Sequence, residues 1–356
     1  MKKITYLIAA TVLLLTACSK DDTPTPAVDF TQQEDSVIND FVNRTAIPQY
    51  QGLAAAANVL NIAVDTLHNN PTTINLQAAK LAWKNVRVNW EQCEGFLFGP
   101  IEDNDYDPNT DTWPTDYTQL DSIITSSNPL EVSDIANLPQ SLRGYHPIEF
   151  VLFGRGSGRT VTNFTDTPRL LKYAVSLSDD LYTNNALPLL QSWTAGGDNY
   201  AQKILNPSSS NNKFKTKQDV FLAIIGAMSD ICGEVGEGKM KEPFDAHDST
   251  ITESPYSNNT TTDFKNNIIG IQNVYMGLNG GRGLKDLVAL KNKNLDNQIQ
   301  AKITEAINSF NNITLPYEQA IYTQRSLVQQ TMDKLGELKV LLDNDLTTFV
   351  TTYVKD

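Results

Sequence analysis

The chain has 356 residues, with 41 Asp or Glu against 28 Lys or Arg and a formal net charge of −13 at pH 7. That balance argues against nucleic acid and against broad docking on anionic lipid, which both need basic surface; the acidity reads either as solubility or as an affinity for cations. Three cysteines without a Cys-x-x-Cys spacing exclude a disulfide scaffold and a thiolate zinc or redox motif.

In chain order, Met1-Lys2-Lys3 precede the apolar run Ile4 to Leu15, the layout of a secretory signal and too short to cross a bilayer. The run ends in Leu15-Thr16-Ala17-Cys18, which resembles the lipobox of bacterial lipoproteins. Residues 1–17 therefore read as a signal peptide and Cys18 as the lipidated residue. Residues 18–30, punctuated by Pro24 and Pro26, read as a tether. The expected location is the cell envelope, held to the outer membrane by the Cys18 lipid, with the periplasmic and surface faces both open.

Apolar residues then recur at three- and four-residue spacing, which predicts helices over 33–68, 74–98, 115–127, 167–193, 214–241, 262–278, 297–311 and 316–354. Turn chemistry separates them at Asn69-Asn70-Pro71, Phe98-Gly99-Pro100, Ala195-Gly196-Gly197 and Asn279-Gly280-Gly281. The expected fold is all-α, with two helical bundles packed together, 31–195 and 196–356, divided within Ala195 to Asn212. Trp113, Trp193, Tyr275 and Phe221 read as core anchors. Cys93 and Cys232 read either as a single bridge or as small buried apolar residues. An internal echo links Ile47-Pro48-x-Tyr50 to Leu315-Pro316-Tyr317.

The most unusual stretch is Arg143-Gly144-Tyr145-His146-Pro147-Ile148-Glu149-Phe150-Val151-Leu152-Phe153-Gly154. Proline as a first residue and glycine just past the end predict a short helix from Pro147 to Phe153. His146 and Glu149 then share a side and either converge on one ion or bond each other. Upstream, Trp83, Arg87, Glu91 and Glu94 fall on one helical face. They form either a self-satisfied ion pair or a ligand set in which Glu91 and Glu94 add oxygens and Arg87 steadies a carboxylate. Glu234, Glu237, Lys239 and Lys241 read as a charge-paired helix end. His68 and His247 lack motifs and read as surface or loop histidines.

The segment Gly144-Tyr145-His146-Pro147-Ile148-Glu149 resembles the Gly-x-His-x-x-Glu signature of the imelysin family. Trp83 to Pro100 is similar to that family's first-half motif. Glu234 to Met240 with Pro243, and Glu253-Ser254-Pro255-Tyr256-Ser257 with Asp263-Phe264, are similar to its second-half motifs. The resemblance implies two four-helix-bundle-like domains with the His-Glu motif near their interface. It also implies an exported, often lipid-anchored bacterial protein associated with iron uptake, in a family that carries a metallopeptidase label. On this reading His146, Glu149, Glu94 and Glu91 hold a divalent metal, iron or zinc. Arg87, Glu237, Lys239, Tyr256 and Ser257 support it or touch ligand, and iron-transport components are the expected partners. Two alternatives stand beside it. A metallopeptidase is opposed by the lack of His-Glu-x-x-His. A metal-free module would bind a peptide, glycan or siderophore.

Overall fold

The computed structural model describes residues 29–355, so the signal peptide, Cys18 and nearly all of the tether lie outside the described residues. Among the described residues there are helices and no strand, and the fold is all-α. None of these helices is long and apolar enough to cross a membrane.

Helices that build the framework include, in chain order, α1 (Phe30–Asp40), α2 (Ile47–Asn69), α3 (Thr73–Cys93), α4 (Tyr145–Phe153), α5 (Arg169–Asp180) and α6 (Leu187–Trp193). They continue as α7 (Lys217–Gly233), α8 (Lys241–Ala246), α9 (Thr260–Met276), α10 (Lys293–Asn312), α11 (Arg325–Val340) and α12 (Thr347–Tyr353). Side chains cap several of them: Asp29 accepts from the Thr31 amide at 3.0 Å, and Thr72 from the Asn75 amide at 3.2 Å.

Helices α1 and α2 form one rod through a π turn, Phe41–Ala46, and α5 and α6 do the same through Leu181–Ala186. Both turns precede a proline, Pro48 or Pro188, that sits second in the next helix. Having no N–H, each leaves the carbonyl four residues back without its ladder bond, and the backbone widens instead. Ile47 donates to the Val42 carbonyl and Leu187 to Tyr182, both five residues back. Pro316, the other half of the sequence echo, instead caps the short helix Tyr317–Thr323, so the two segments sit in different structural settings.

In the first half α2 packs on α3 and α5, and α4 fits against α3 and α5; in the second, α11 packs on α7 and α10, and α9 on α10. The halves join where α9 lies along α3. That crossing is close because Gly95 and Gly270 face each other: a Cβ on either would collide with the other's backbone. Beside it, Gln92 Nε2 donates to Asn266 Oδ1 at 2.8 Å. The first helix also reaches across, with Phe30 edge-on to Phe349 at 6.5 Å between centroids and Asp35 2.5 Å from Lys217 Nζ. Buried apolar residues run as a single core from Val37 to Val354.

Several expectations change in detail. Helix α4 begins at Tyr145, two residues before the proposed Pro147 start, because Gly144 at φ 81° serves as its N-cap. Pro147 is then the third helical residue, where an N–H would have no helical partner in any case. Short helices such as Tyr106–Thr110, Val132–Ile135 and Tyr200–Leu205 occupy stretches expected to be irregular. Cys93 and Cys232 are free and buried, packed as small side chains. Trp193, Tyr275 and Phe221 are buried anchors, whereas Trp113 is half-buried and donates to the Thr252 carbonyl at 2.9 Å.

The Gly95–Gly270 seam makes a paired prediction. Gly270→Ala drives a methyl into the Gln92 carbonyl and the Gly95 amide and is expected to cost about 1–3 kcal/mol. Gly226→Ala, inside α7 with open space around it, is expected to stabilise by about 0.5–1 kcal/mol. Urea unfolding midpoints of the two variants should therefore move in opposite directions.

Candidate metal centre

Helix α3 delivers Trp83, Arg87, Trp90 and Glu91 from one buried face, and Glu94 opens the 3-10 turn that follows. Arg87 has no solvent exposure. Its guanidinium donates to Glu91 one turn on, to Asp111, and to Glu253 Oε1 at 2.6 Å, and its Nε lies 3.8 Å from Asp263 Oδ1. The Tyr145 ring stacks beneath it, with the guanidinium carbon 5.0 Å from the ring centroid.

Asp111 directly follows the helix Tyr106–Thr110. Its Oδ2 accepts from Trp90 Nε1 at 2.7 Å, and its Oδ1 lies 3.2 Å from His146 Nε2 without the alignment of a hydrogen bond. The first turn of α4 reaches this position because Gly144 has no side chain: a Cβ there would strike the Thr110 carbonyl next to Asp111. The glycine of the Gly-x-His-x-x-Glu segment thus has a steric reason as well as its positive φ.

The second half closes the cluster. Glu253 lies just past a 3-10 turn, Ser249–Ile251, with Oε1 3.8 Å from His146 Nε2. Lys239 ends the π turn Glu234–Lys239, its Nζ 3.0 Å from Glu234, 3.6 Å from Glu253 and 3.9 Å from Asp111. Asp263, in the first turn of α9, accepts from Ser254 Oγ at 2.6 Å and Asn259 Nδ2 at 2.7 Å. One turn later Asn267 Nδ2 donates to Glu91 Oε2 at 2.6 Å and also to Glu94.

Burial sets the protonation pattern. It pushes the Glu91 carboxyl up to about 7 against the pull of Arg87, and Asp263 up to about 6 against the same cation. Burial, with Glu91 adding repulsion, lifts Glu94 well above the usual carboxylate range. At Asp111 burial is outweighed by Arg87, with His146 and Lys239 assisting, so that this carboxylate stays ionised well below its ordinary value. Lys239 stays charged despite burial, because Glu253, Glu94, Glu234 and Asp111 surround it.

Ligand atoms of Asp111, His146 and Glu253 come within 4.8 Å of one another, as do those of Glu91, Glu94 and Asp111. Nitrogen and oxygen ligands bound at about 2.0–2.2 Å sit roughly 3.0–3.4 Å apart around one ion. The 3.2 Å separation of His146 Nε2 and Asp111 Oδ1 fits that edge, and the 3.8 Å to Glu253 needs a small inward shift. Both His146 nitrogens and Glu253 Oε2 are buried without a hydrogen-bond partner, so a neutral imidazole would offer the lone pair of one nitrogen, and Glu253 those of an oxygen.

Of the residues singled out in the sequence, Arg87, Glu91, Glu94, His146 and Lys239 meet in this cluster. Glu149 lies alongside it and joins neither triad. Its Oε1 accepts the amides of Tyr256 at 3.1 Å and Ser257 at 2.7 Å, its Oε2 is buried without a hydrogen-bond partner, and burial raises its carboxyl well above the ordinary value. Tyr256 and Ser257 thus take part through backbone N–H groups, and the Ser257 side chain also acts on the Glu149 carboxyl. Glu237 is exposed, acting on Lys339, and it is Glu234 that pairs with Lys239. His68 and His247 are exposed. Asp111, Glu253, Asp263 and Asn267 escaped sequence reasoning as site residues. Glu253 and Asp263 stood inside a quoted motif, but Asp111 carried no signal beyond its place before Trp113-Pro114.

Fold and site together define an all-helical protein with a buried His–carboxylate–arginine cluster drawn from both halves of the sequence. Residues 46–342 match the imelysin family, peptidase M75, and the chain belongs to it. It is 33% identical over 242 residues to iron-regulated protein A of Synechococcus elongatus, covering 67% of this chain and 64% of that protein. A crystal structure from Parabacteroides distasonis, described as an iron-regulated protein A precursor, superposes with a TM-score of 0.82 at 25% identity, covering 91% of this chain and 95% of that one. An imelysin-like protein from Psychrobacter arcticum shares the fold at a TM-score of 0.74 and 13% identity, over 91% and 98% of the two chains.

Arg87 is the cation on which these carboxylates depend. Arg87→Leu leaves buried acids without their counter-charge and is expected to destabilise the protein by about 3–5 kcal/mol. Urea unfolding at pH 7 measures this, and a loss below about 1 kcal/mol, the scale of an exposed pair, would contradict it.

Proposed function

We propose that the chain is an exported lipoprotein, anchored by lipid on Cys18, that binds a divalent cation at His146, Asp111 and Glu253. In this reading the cation is iron before zinc or manganese, and the protein serves iron uptake at the outer membrane alongside iron-transport components. Membership of the imelysin family and likeness to proteins named for iron regulation support the iron link. The Lys2-Lys3 start, the short apolar run and the Ala17-Cys18 junction support export and anchoring.

One observation carries the metal reading: an imidazole and two carboxylates converge, fully buried, within 4.8 Å. Such a donor set suits iron(II), manganese and zinc. Arg87 and Trp90 supply the outer contacts that fix Asp111, the role such contacts play around bound metals.

The family's peptidase label finds less support in the chain. The glutamate of the His-x-x-Glu pair is held by two backbone amides, and the other two histidines are exposed, so no second imidazole joins the cluster.

Calorimetric titration of the chelator-treated chain with iron(II) under anaerobic conditions is expected to show stoichiometric binding. His146→Ala and Glu253→Gln should abolish it, whereas Glu237→Gln should leave it unchanged. Binding that survives His146→Ala would sink the proposed site. Anchoring has its own check: labelled palmitate should enter the wild-type chain during growth and be absent from Cys18→Ala.

A further inference from the structure

Six buried carboxylates gather in and beside the cluster: Glu91, Glu94, Asp111, Glu149, Glu253 and Asp263. Arg87 and Lys239 are the cations among them. Two basic residues cannot pair one to one with six acids, so carboxylates remain for a second ion.

The geometry offers a place for it. Glu91, Glu94 and Asp111 bring ligand atoms within 4.8 Å of one another, a group that does not include His146. A group of acids alone would mean little, but Asn267 closes this one from α9. Asn267 is fully buried and its amide nitrogen donates to both Glu91 and Glu94, while its Oδ1 has no hydrogen-bond partner. An amide with a satisfied nitrogen and a stranded oxygen is half a turn from the opposite arrangement. With a cation between the two glutamates in place of the Nδ2 hydrogen bonds, that half-turn places Oδ1 on the ion as a neutral ligand.

We infer that the cluster takes two cations: beside the His146–Asp111–Glu253 position there is a second, formed by Glu91, Glu94 and Asn267 and bridged to the first by Asp111. This rests on the first position being a metal site. Carboxylate-bridged ions lie about 3.5–4 Å apart in two-metal centres. Arg87, bonded to Glu91, Asp111 and Glu253, keeps the acids of both positions aligned and contributes no ligand.

The test uses manganese(II) and the mature chain without its lipidated cysteine, residues 19–356, freed of metal by chelation. Equilibrium dialysis with elemental analysis is expected to find two ions per chain, and electron paramagnetic resonance an exchange-coupled pair. Glu94→Gln should reduce the count to one and restore the six-line spectrum of an isolated ion. Asn267→Ala, which removes no charge and carries the test if Glu94→Gln fails to fold, should weaken the second ion about 10- to 100-fold. One ion in the wild type, unaffected by either substitution, would overturn the second position and leave the first standing. Two ions that persist uncoupled in Glu94→Gln and unweakened in Asn267→Ala would place the second elsewhere and equally overturn it. No ion at all would overturn both readings.

Discussion

A guanidinium sealed from water must be neutralised where it lies, and Arg87 is neutralised by parts of the chain that are far apart in sequence. Glu91 comes from its own helix and Asp111 from a short helix of the first half. Glu253, 166 residues away, and Asp263 come from the second half. Satisfying one buried cation therefore sets the position of α9 and its preceding loop relative to α3. The close backbone approach at Gly95 and Gly270 has the same consequence from the steric side, since any larger residue would hold Asp263, the carboxylate of α9, away from Arg87.

Around that ion network, each element that offers a cluster side chain is fastened by a bond outside it. Trp83 Nε1 donates to the Tyr145 carbonyl at 2.9 Å and holds α4 by its first turn. Trp113 holds Thr252, the residue before Glu253. Glu149 gathers the amides of Tyr256 and Ser257 and so pins the loop that presents Glu253 to His146. The His-x-x-Glu pair consequently divides its work: the imidazole faces the carboxylates, and the glutamate braces the loop that carries one of them. This explains why two residues three apart on one helix need not bind the same atom to belong to the same site.

The long helices were legible because amphipathic periodicity survives over five or six turns, as in α2 and α3. Helices of four to six residues, such as Pro100–Asp103 and Tyr106–Thr110, complete too few turns to leave a period and are held by tertiary contacts. The start of α4 was misplaced for a related reason: proline at the first helical position is the common case, but here Gly144, three residues before Pro147, is the cap and Tyr145 takes the first position. Within the site, Arg87, Glu91, Glu94 and His146 were readable because they share single helices. Asp111 and Asn267 were not, because what makes each significant is the partner it meets from another part of the chain, and no spacing within one element encodes that.

The composition of the cluster also bears on which cation the proposed site would favour. Cys93 precedes Glu94 in sequence, yet its thiol turns to Gln49, and burial raises it far above the range in which thiolate forms. The soft ligand nearest in sequence is thereby kept neutral and faces away from the acids. What remains is one imidazole among carboxylates, a hard and borderline donor set that does not select copper(I). Because Asp111 stays ionised under the pull of Arg87 while Glu91 and Glu94 are driven toward protonation by burial, an incoming ion would meet one ready ligand first. It would recruit the glutamates by displacing their protons. Affinity would then be tied to proton release, as for metal sites whose ligands must deprotonate to bind, and the site would hold cations more tightly in neutral surroundings than in acidic ones.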